Sequence, residues 1–283
     1  MVLFGFHVSI AGGIDRAVDR AKAMGCDVFQ IFSRNPRGWR SKPLSPEEAE
    51  RFRSRLSESG LNLAVDHMPY LPNLASPKED VYKKSIDALA EELLRCHELS
   101  IPYLVTHLGS HLGAGLEQGS MRIVDAVEKA FFMADNEVVL LLENTAGTRN
   151  SMGGHFEGLA AIIDSLGQKS RRVGVCLDTC HLFAAGYELR APEGLRVTLD
   201  SFESTIGLER LKLVHLNDCR GDLGSKLDRH EHIGLGKIGE KGFRAILGHP
   251  FIRQLPMIME TPVDHRRDDL GNLRAARKMA GLE

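Results

Sequence analysis

The chain has 283 residues, 43% of them hydrophobic and 26% charged, which excludes disordered, collagen-like and coiled-coil chains and suffices to bury one large core. Its 36 Lys and Arg against 38 Asp and Glu leave a formal net charge of −2, so any affinity for a polyanion must be local. Five cysteines without a C-x-x-C pair argue against a disulfide framework, the MVLFGFHVS start has no basic leader, and no apolar run approaches the ~20 residues of a membrane span. A cytoplasmic protein with no membrane partner is expected.

Short apolar, β-branched runs predict strands at 4–9, 28–33, 62–67, 103–107, 138–144, 173–178, 211–218 and 257–262. Amphipathic stretches between them predict helices. One starts at Ser45-Pro46-Glu47-Glu48, which joins an N-cap, a first-turn proline and a capping-box glutamate, and ends at Gly60. Others cover 78–99 and 117–135, and the last covers 264–281. Eight buried strands alternating with helices predict an α/β fold, a (β/α)8 TIM barrel, and the absence of any Pro/Gly/Ser linker makes 1–283 a single domain.

Six consecutive strand runs end in a side chain able to bind a metal: His67, His107, Glu143, Asp178, His215 and Glu260, 35 to 45 residues apart. Strand C-termini of such a barrel converge on one face, so one ligand per βα unit builds a single cup. Polar residues commonly end strands, but six in a row drawn only from His, Asp and Glu do not fit that ordinary pattern. The loops add His181 from Asp178-Thr179-Cys180-His181, and Asp228 and His230 from Asp228-Arg229-His230. Imidazoles mixed with carboxylates favour Zn2+ over Mg2+ or Ca2+, with Mn2+ or Fe2+ as possible substitutes. Nine ligands exceed one tetrahedral ion, so two or three metals are implied. Three divalent ions against four carboxylates leave about +2, a charge suited to a phosphodiester.

Other features read more plainly. His97, His249 and His265 fall on predicted helices or their ends as surface residues, while His7, His111, His155 and His232 lie near the cup and are candidates to orient ligands. Gly234-Leu-Gly236-Lys-Ile-Gly239 matches G-x-G-x-x-G, but no strand precedes it, so a dinucleotide site is not expected. Cys176 and Cys180 read as small core residues.

The segments HVSIAGG (7–13), LLENTAG (141–147), LDTCHLFAAGY (177–187), HLNDCRGDLGSKLDRHEHIG (215–234) and METP (259–262) closely resemble the signatures of the endonuclease IV family of zinc-dependent apurinic/apyrimidinic endonucleases. The resemblance covers essentially the whole chain. It implies a barrel with three zinc ions that cuts double-stranded DNA 5′ to an abasic site, leaving a 3′-hydroxyl and a 5′-deoxyribose phosphate. Position by position, it implies that His67 and His107 hold one zinc. Glu143, the catalytic residue, bridges that ion to a second held by Asp178, His215 and Glu260, and His181, Asp228 and His230 hold the third. It also implies that Arg37, Tyr70 and Leu71 enter the duplex at the lesion, and a monomeric enzyme is expected.

A long cation, an aromatic and a leucine suit that task, since wedging between base pairs offsets unstacking that costs a few kcal/mol. Basic residues gather on the predicted rim loops: Arg34, Arg37, Arg40, Lys42, Arg149, Arg220, Lys226 and Arg229, with Arg34 and Arg40 expected to contact phosphates. Two other functions compete. A metal-dependent sugar isomerase or epimerase would share the barrel but usually relies on carboxylates around one or two ions, and a non-catalytic DNA-binding module would need no metal.

Overall fold

All eight apolar runs become strands of one closed parallel barrel in the computed structural model, which describes residues 2–282. The barrel strands are β1 (Leu3–His7), β2 (Val28–Ile31), β3 (Leu63–His67), β4 (Tyr103–His107), β5 (Val139–Glu143), β6 (Val173–Asp178), β7 (Leu211–His215) and β10 (Pro256–Met259). Between β7 and β10, β8 (Asp218–Cys219) and β9 (His230–Glu231) form a small antiparallel hairpin. The helices are α1 (Arg16–Ala23), α2 (Pro46–Ser59), α3 (Glu79–Glu98), α4 (Leu116–Met133), α5 (Phe156–Ser165), α6 (Thr179–Ala185), α7 (Pro192–Thr205), α8 (Gly239–Gly248) and α9 (Asp269–Met279). Each barrel strand pairs with the preceding barrel strand, and β10 closes onto β1.

Local chemistry sets the boundaries. At α2 the Ser45 hydroxyl accepts from Glu48 N (3.2 Å), Ser45 N donates to Glu48 Oε2 (3.1 Å), and Gly60 ends the helix at φ 78°, as the sequence pattern predicts. The last helix starts at Asp269 rather than 264, because the Asp268 carboxylate caps Gly271 N (2.7 Å) and residues 264–267 close a turn through an Asp264–Arg267 bridge. His265 is therefore exposed on a turn and not on a helix. The first, second, seventh and eighth strands stop two or three residues short of the predicted ends. Side chains there capture the departing backbone, as the Asp66 carboxylate does Ser33 N (2.9 Å).

Strand alternation sorts the core into two layers. Outward residues such as Phe4, Phe29 and Phe6 pack against helices, in a cluster with Phe52, Phe156, Phe202 and Phe243. Inward residues Val28, Val65, Val105, Leu141, Cys176, Leu213 and Ile258 fill the barrel interior, one from each of seven strands. Gly5 takes the eighth place, where β2 runs so close that a Cβ would stand 1.7 Å from Val28 O. Two residues further on, the same face carries His7, Gln30, His67, His107, Glu143, Asp178, His215 and Glu260. A register shift between β6 and β7 skips Lys212, setting Cys176 opposite Leu213 and Asp178 opposite His215.

Leu141 forms the apolar floor beneath Glu143. Leu141→Ala is expected to lower the unfolding free energy by about 2–5 kcal/mol in urea titrations with helix content retained. A loss under about 1 kcal/mol would show that the interior layer is not close-packed.

Candidate metal centre

A carboxylate buried at a strand end has to find positive charge or hydrogen-bond donors. Glu143 is 1% exposed and finds four imidazoles. Its Oε2 lies 3.2 Å from His67 Nε2 and 3.3 Å from His107 Nδ1, and its Oε1 lies 3.0 Å from His215 Nδ1 and 3.4 Å from His181 Nδ1. Burial alone would raise the Glu143 carboxyl, but His107 and His215 hold it well below the ordinary carboxylate range. Glu260 is similar: burial opposes its charge, and His215 and His7 bring it well below the usual value.

The orientation of the rings defines what the site can hold. Oxygen acceptors lie 2.7 Å from His67 Nδ1 (Met68 O), 2.9 Å from His181 Nδ1 (Asn144 O), 3.1 Å from His230 Nδ1 (Glu260 O) and 2.9 Å from His215 Nε2 (Gln30 Oε1). Oxygens of this kind only accept, so these ring nitrogens carry the hydrogen, and the other nitrogen of each neutral ring presents a lone pair. Those lone pairs face carboxylates: His67 Nε2 and His215 Nδ1 face Glu143, and His181 Nε2 is 3.2 Å from Asp228 Oδ1. His230 Nε2 is buried without a hydrogen-bond partner, 3.6 Å from Asp178 Oδ2 and 3.7 Å from Asp228 Oδ1.

A lone pair set against a carboxylate repels unless a proton or a cation lies between them. Burial disfavours charge on His181, yet Asp178, Asp228 and Glu143 push its pKa up to about 10. His215, likewise penalised by burial, rises well above the usual value beside Cys176, Glu260 and Glu143. Divalent cations would supply the same charge to several of these groups at once, and the donor set fits them.

The nine residues selected from sequence converge. Ligand atoms of His67, His107 and Glu143 lie within 4.8 Å of one another, as do those of Glu143, Asp178, His215 and Glu260. Asp178, His181 and His230 form a third such group, and Asp228 and His230 a fourth with Cys180. Asp178 thus reaches toward two groups rather than one. Sequence reasoning missed Gln30, which bonds both His215 and Glu260 from the fully buried middle of β2. The signal was there: an amide two residues after Val28 in an otherwise apolar run.

Among the histidines considered for orienting ligands, His7 does touch the cluster, through Gln30 and 3.6 Å from Glu260 Oε1. His232 instead ties Asp264 to Asn272, His111 accepts from Gly113 N and Gly115 N, and His155 is exposed before α5. The Gly234–Gly239 loop holds no phosphate cradle, because its amides are already engaged. Gly236 N, Ile238 N and Gly239 N donate to the buried Asp218 carboxylate at 2.8 to 3.2 Å.

Above the ring opens a cavity of about 430 Å³ lined by Phe32, Tyr70, His107 and Val263 among others. Tyr70, on the cavity lining, and its neighbour Leu71 are 63% and 38% exposed. Tyr70 N donates to Pro36 O (3.2 Å), joining that loop to the one carrying exposed Arg37, and the Tyr70 ring meets Phe32 edge-on at 5.0 Å. Arg40, Arg149, Lys226 and Arg229 are also exposed on the rim, whereas Arg220 pairs with Glu231 and Lys42 with Glu48.

Arg34 corrects the sequence reading. It is buried, its Nε donates to the fully buried Glu92 and its guanidinium also pairs with Glu91, so it anchors the loop and is no free phosphate contact. Ser33 and Arg95 complete the network, with Ser33 Oγ donating to Glu92 Oε2 and Arg95 Nε donating to Ser33 Oγ.

Residues 18–280 match the family model described as a xylose isomerase-like TIM barrel, which is the class of protein this fold and polar ring define. The chain is 60% identical to the probable endonuclease 4 of Methanoculleus marisnigri over 99% of its own length and 100% of that protein. Endonuclease IV from Thermus thermophilus superposes with a TM-score of 0.88 at 40% identity, covering 99% of each chain. The chain belongs to the endonuclease IV family. A D-tagatose 3-epimerase-like protein, at 19% identity and a TM-score of 0.71, shares the fold alone.

Removing Arg34 would leave Glu92 buried without its cationic partner, with only the Ser33 hydroxyl donating to it. Arg34→Ala is expected to cost about 3–5 kcal/mol of stability, against under about 0.5 kcal/mol for Arg40→Ala, in parallel urea titrations. Equal losses in the two variants would remove the buried pair as the loop's anchor.

Proposed function

We propose that this protein is a DNA-repair endonuclease that hydrolyses the phosphodiester 5′ to abasic sites in duplex DNA, leaving a 3′-hydroxyl and a 5′-deoxyribose phosphate. The observation that carries the reading is the set of imidazoles locked with their lone pairs against buried carboxylates, a frame that calls for cations, in a chain of the endonuclease IV family. In this reading His67 and His107 hold one zinc ion. Glu143 would contribute to that ion and to a second held with Asp178, His215 and Glu260, and His181, Asp228 and His230 would hold the third. Bound zinc would supply positive charge against the phosphodiester and the acidity that makes a nucleophile available at neutral pH.

The chain's own groups do the rest. Burial of Glu143, Asp178 and His215 keeps the ligands in a low-dielectric frame, where each electrostatic contact is strengthened. Exposed Arg40, Arg149, Lys226 and Arg229 lie on the rim where phosphates would run, a local footprint consistent with a net charge of −2. Tyr70 lines the cavity, Leu71 follows it and exposed Arg37 lies on the loop joined to Tyr70 N, so these three would fill the stack where an unpaired nucleotide is cheapest to extrude. The five cysteines are free and buried, as suits a reducing cytoplasm, where we place the enzyme as a monomer. No helix among the described residues is long and apolar enough to cross a membrane.

Incision of a duplex carrying one abasic analogue tests the activity, and Glu143→Gln isolates the centre. The variant should keep its fold and lose incision by at least about a thousandfold, together with part of its bound metal. Turnover within tenfold of wild type would remove Glu143 from the mechanism.

Recognition separates from chemistry in binding assays on paired duplexes with and without the abasic position. Replacing Tyr70 and Leu71 together with Ala should weaken binding to the abasic duplex alone, since a wedge acts only where the stack opens. Fluorescence anisotropy showing equal loss on both duplexes would make these residues general contacts.

A further inference from the structure

The ring of eight inward side chains contains one that is neither an imidazole nor a carboxylate. Gln30 is fully buried, and its carboxamide reaches three other ring members. Its Nε2 donates to Glu260 Oε1 (2.7 Å) and stands 3.0 Å from His7 Nδ1, and its Oε1 is 2.9 Å from His215 Nε2. A carboxylate only accepts, so the amide group facing Glu260 must be the NH2, and the carbonyl oxygen is thereby turned to His215. That oxygen also only accepts, so His215 Nε2 must carry the hydrogen. The lone pair of His215 then sits on Nδ1, 3.0 Å from Glu143 Oε1 and 3.5 Å from Glu260 Oε2.

His215 thus differs from three of its neighbours. Backbone carbonyls hold His67, His181 and His230 at Nδ1, so those rings present Nε2 to the centre. No backbone carbonyl holds His215 in this way, since its Nε2 points across the barrel axis to β2. Gln30 also divides the Glu260 carboxylate, occupying Oε1 and leaving Oε2 toward His215.

We propose that Gln30 is a positioning residue that selects the Nδ1-presenting tautomer of His215 and orients Glu260, and so specifies the second metal position. The proposal rests on the reading above that the ring holds ions. Groups that fix the tautomer of a ligand are worth about 10–100-fold in metal affinity.

Gln30→Met keeps the length and volume of the side chain and removes both hydrogen-bonding functions. Full-length wild type and variant are loaded with zinc and dialysed, and metal per chain is measured by elemental analysis alongside competition with a chelator. Wild type should retain about three zinc ions. The variant should retain two and hold the missing one about 10–100-fold more weakly, with a thermal midpoint in EDTA equal to that of wild type in EDTA. A variant that keeps all the metal of wild type, or one destabilised in EDTA with its metal affinity unchanged, would overturn the role and make Gln30 ordinary packing. Wild type that retains no zinc would bring down the reading of the ring itself, and the proposal with it.

A second measurement needs no variant. Long-range proton–nitrogen NMR correlations on zinc-loaded wild type should show His215 protonated at Nε2, with the metal shift on Nδ1. Protonation at Nδ1 would overturn the proposal.

Discussion

A carboxylate sealed at the mouth of a barrel, faced by imidazole lone pairs, is the constraint on which this structure depends. Leaving such a group uncompensated would cost several kcal/mol, so its surroundings are organised around where positive charge can sit. Strand alternation does most of the placement. With one apolar layer at Val28, Val65, Val105, Leu141, Cys176, Leu213 and Ile258, the period of two delivers the next inward residue of every strand to the same height. The missing side chain at Gly5 and the skipped Lys212 keep that layer in register as the barrel closes.

Orientation of the ligands is a separate matter from their placement. Rings at the right height still rotate, and carbonyls of Met68, Asn144 and Glu260 remove that freedom for three of them. Around this rigid frame the rim loops divide the labour by burial. The loop after β2 is tied down by Arg34 and Ser33 on Glu92 and by Arg95 on Ser33, while Arg37 faces solvent. A stiff anchor beneath an exposed cation and an exposed aromatic is the arrangement expected of a recognition surface.

Six of the eight ring residues were legible in the sequence because each is a titratable side chain at or near the end of an apolar run, where it stands out. His7 reads only as lying near the cup, and Gln30 is passed over inside the run 28–33. Gln30 also lacks the titratable group that drew attention to the others. Charge without burial misled at Arg34: the letters show a cation among cations, but its partners Glu91 and Glu92 come from α3, some 58 residues away. The glycine-rich loop after β9 donates its amides to Asp218, a partner 18 residues upstream that is visible only in three dimensions. The last helix was drawn too early because Asp264–Arg267 is polar and helix-compatible by composition, while the Asp268 cap decides the start.

If this polar ring is a frame for three cations, diffraction from crystals of zinc-loaded protein on either side of the zinc absorption edge will show them. Three anomalous peaks are expected: one among His67, His107 and Glu143, one among Glu143, Asp178, His215 and Glu260, and one among His181, Asp228 and His230. Crystals of zinc-loaded protein with no peak inside the ring, or with zinc held only by residues outside these nine, would contradict it.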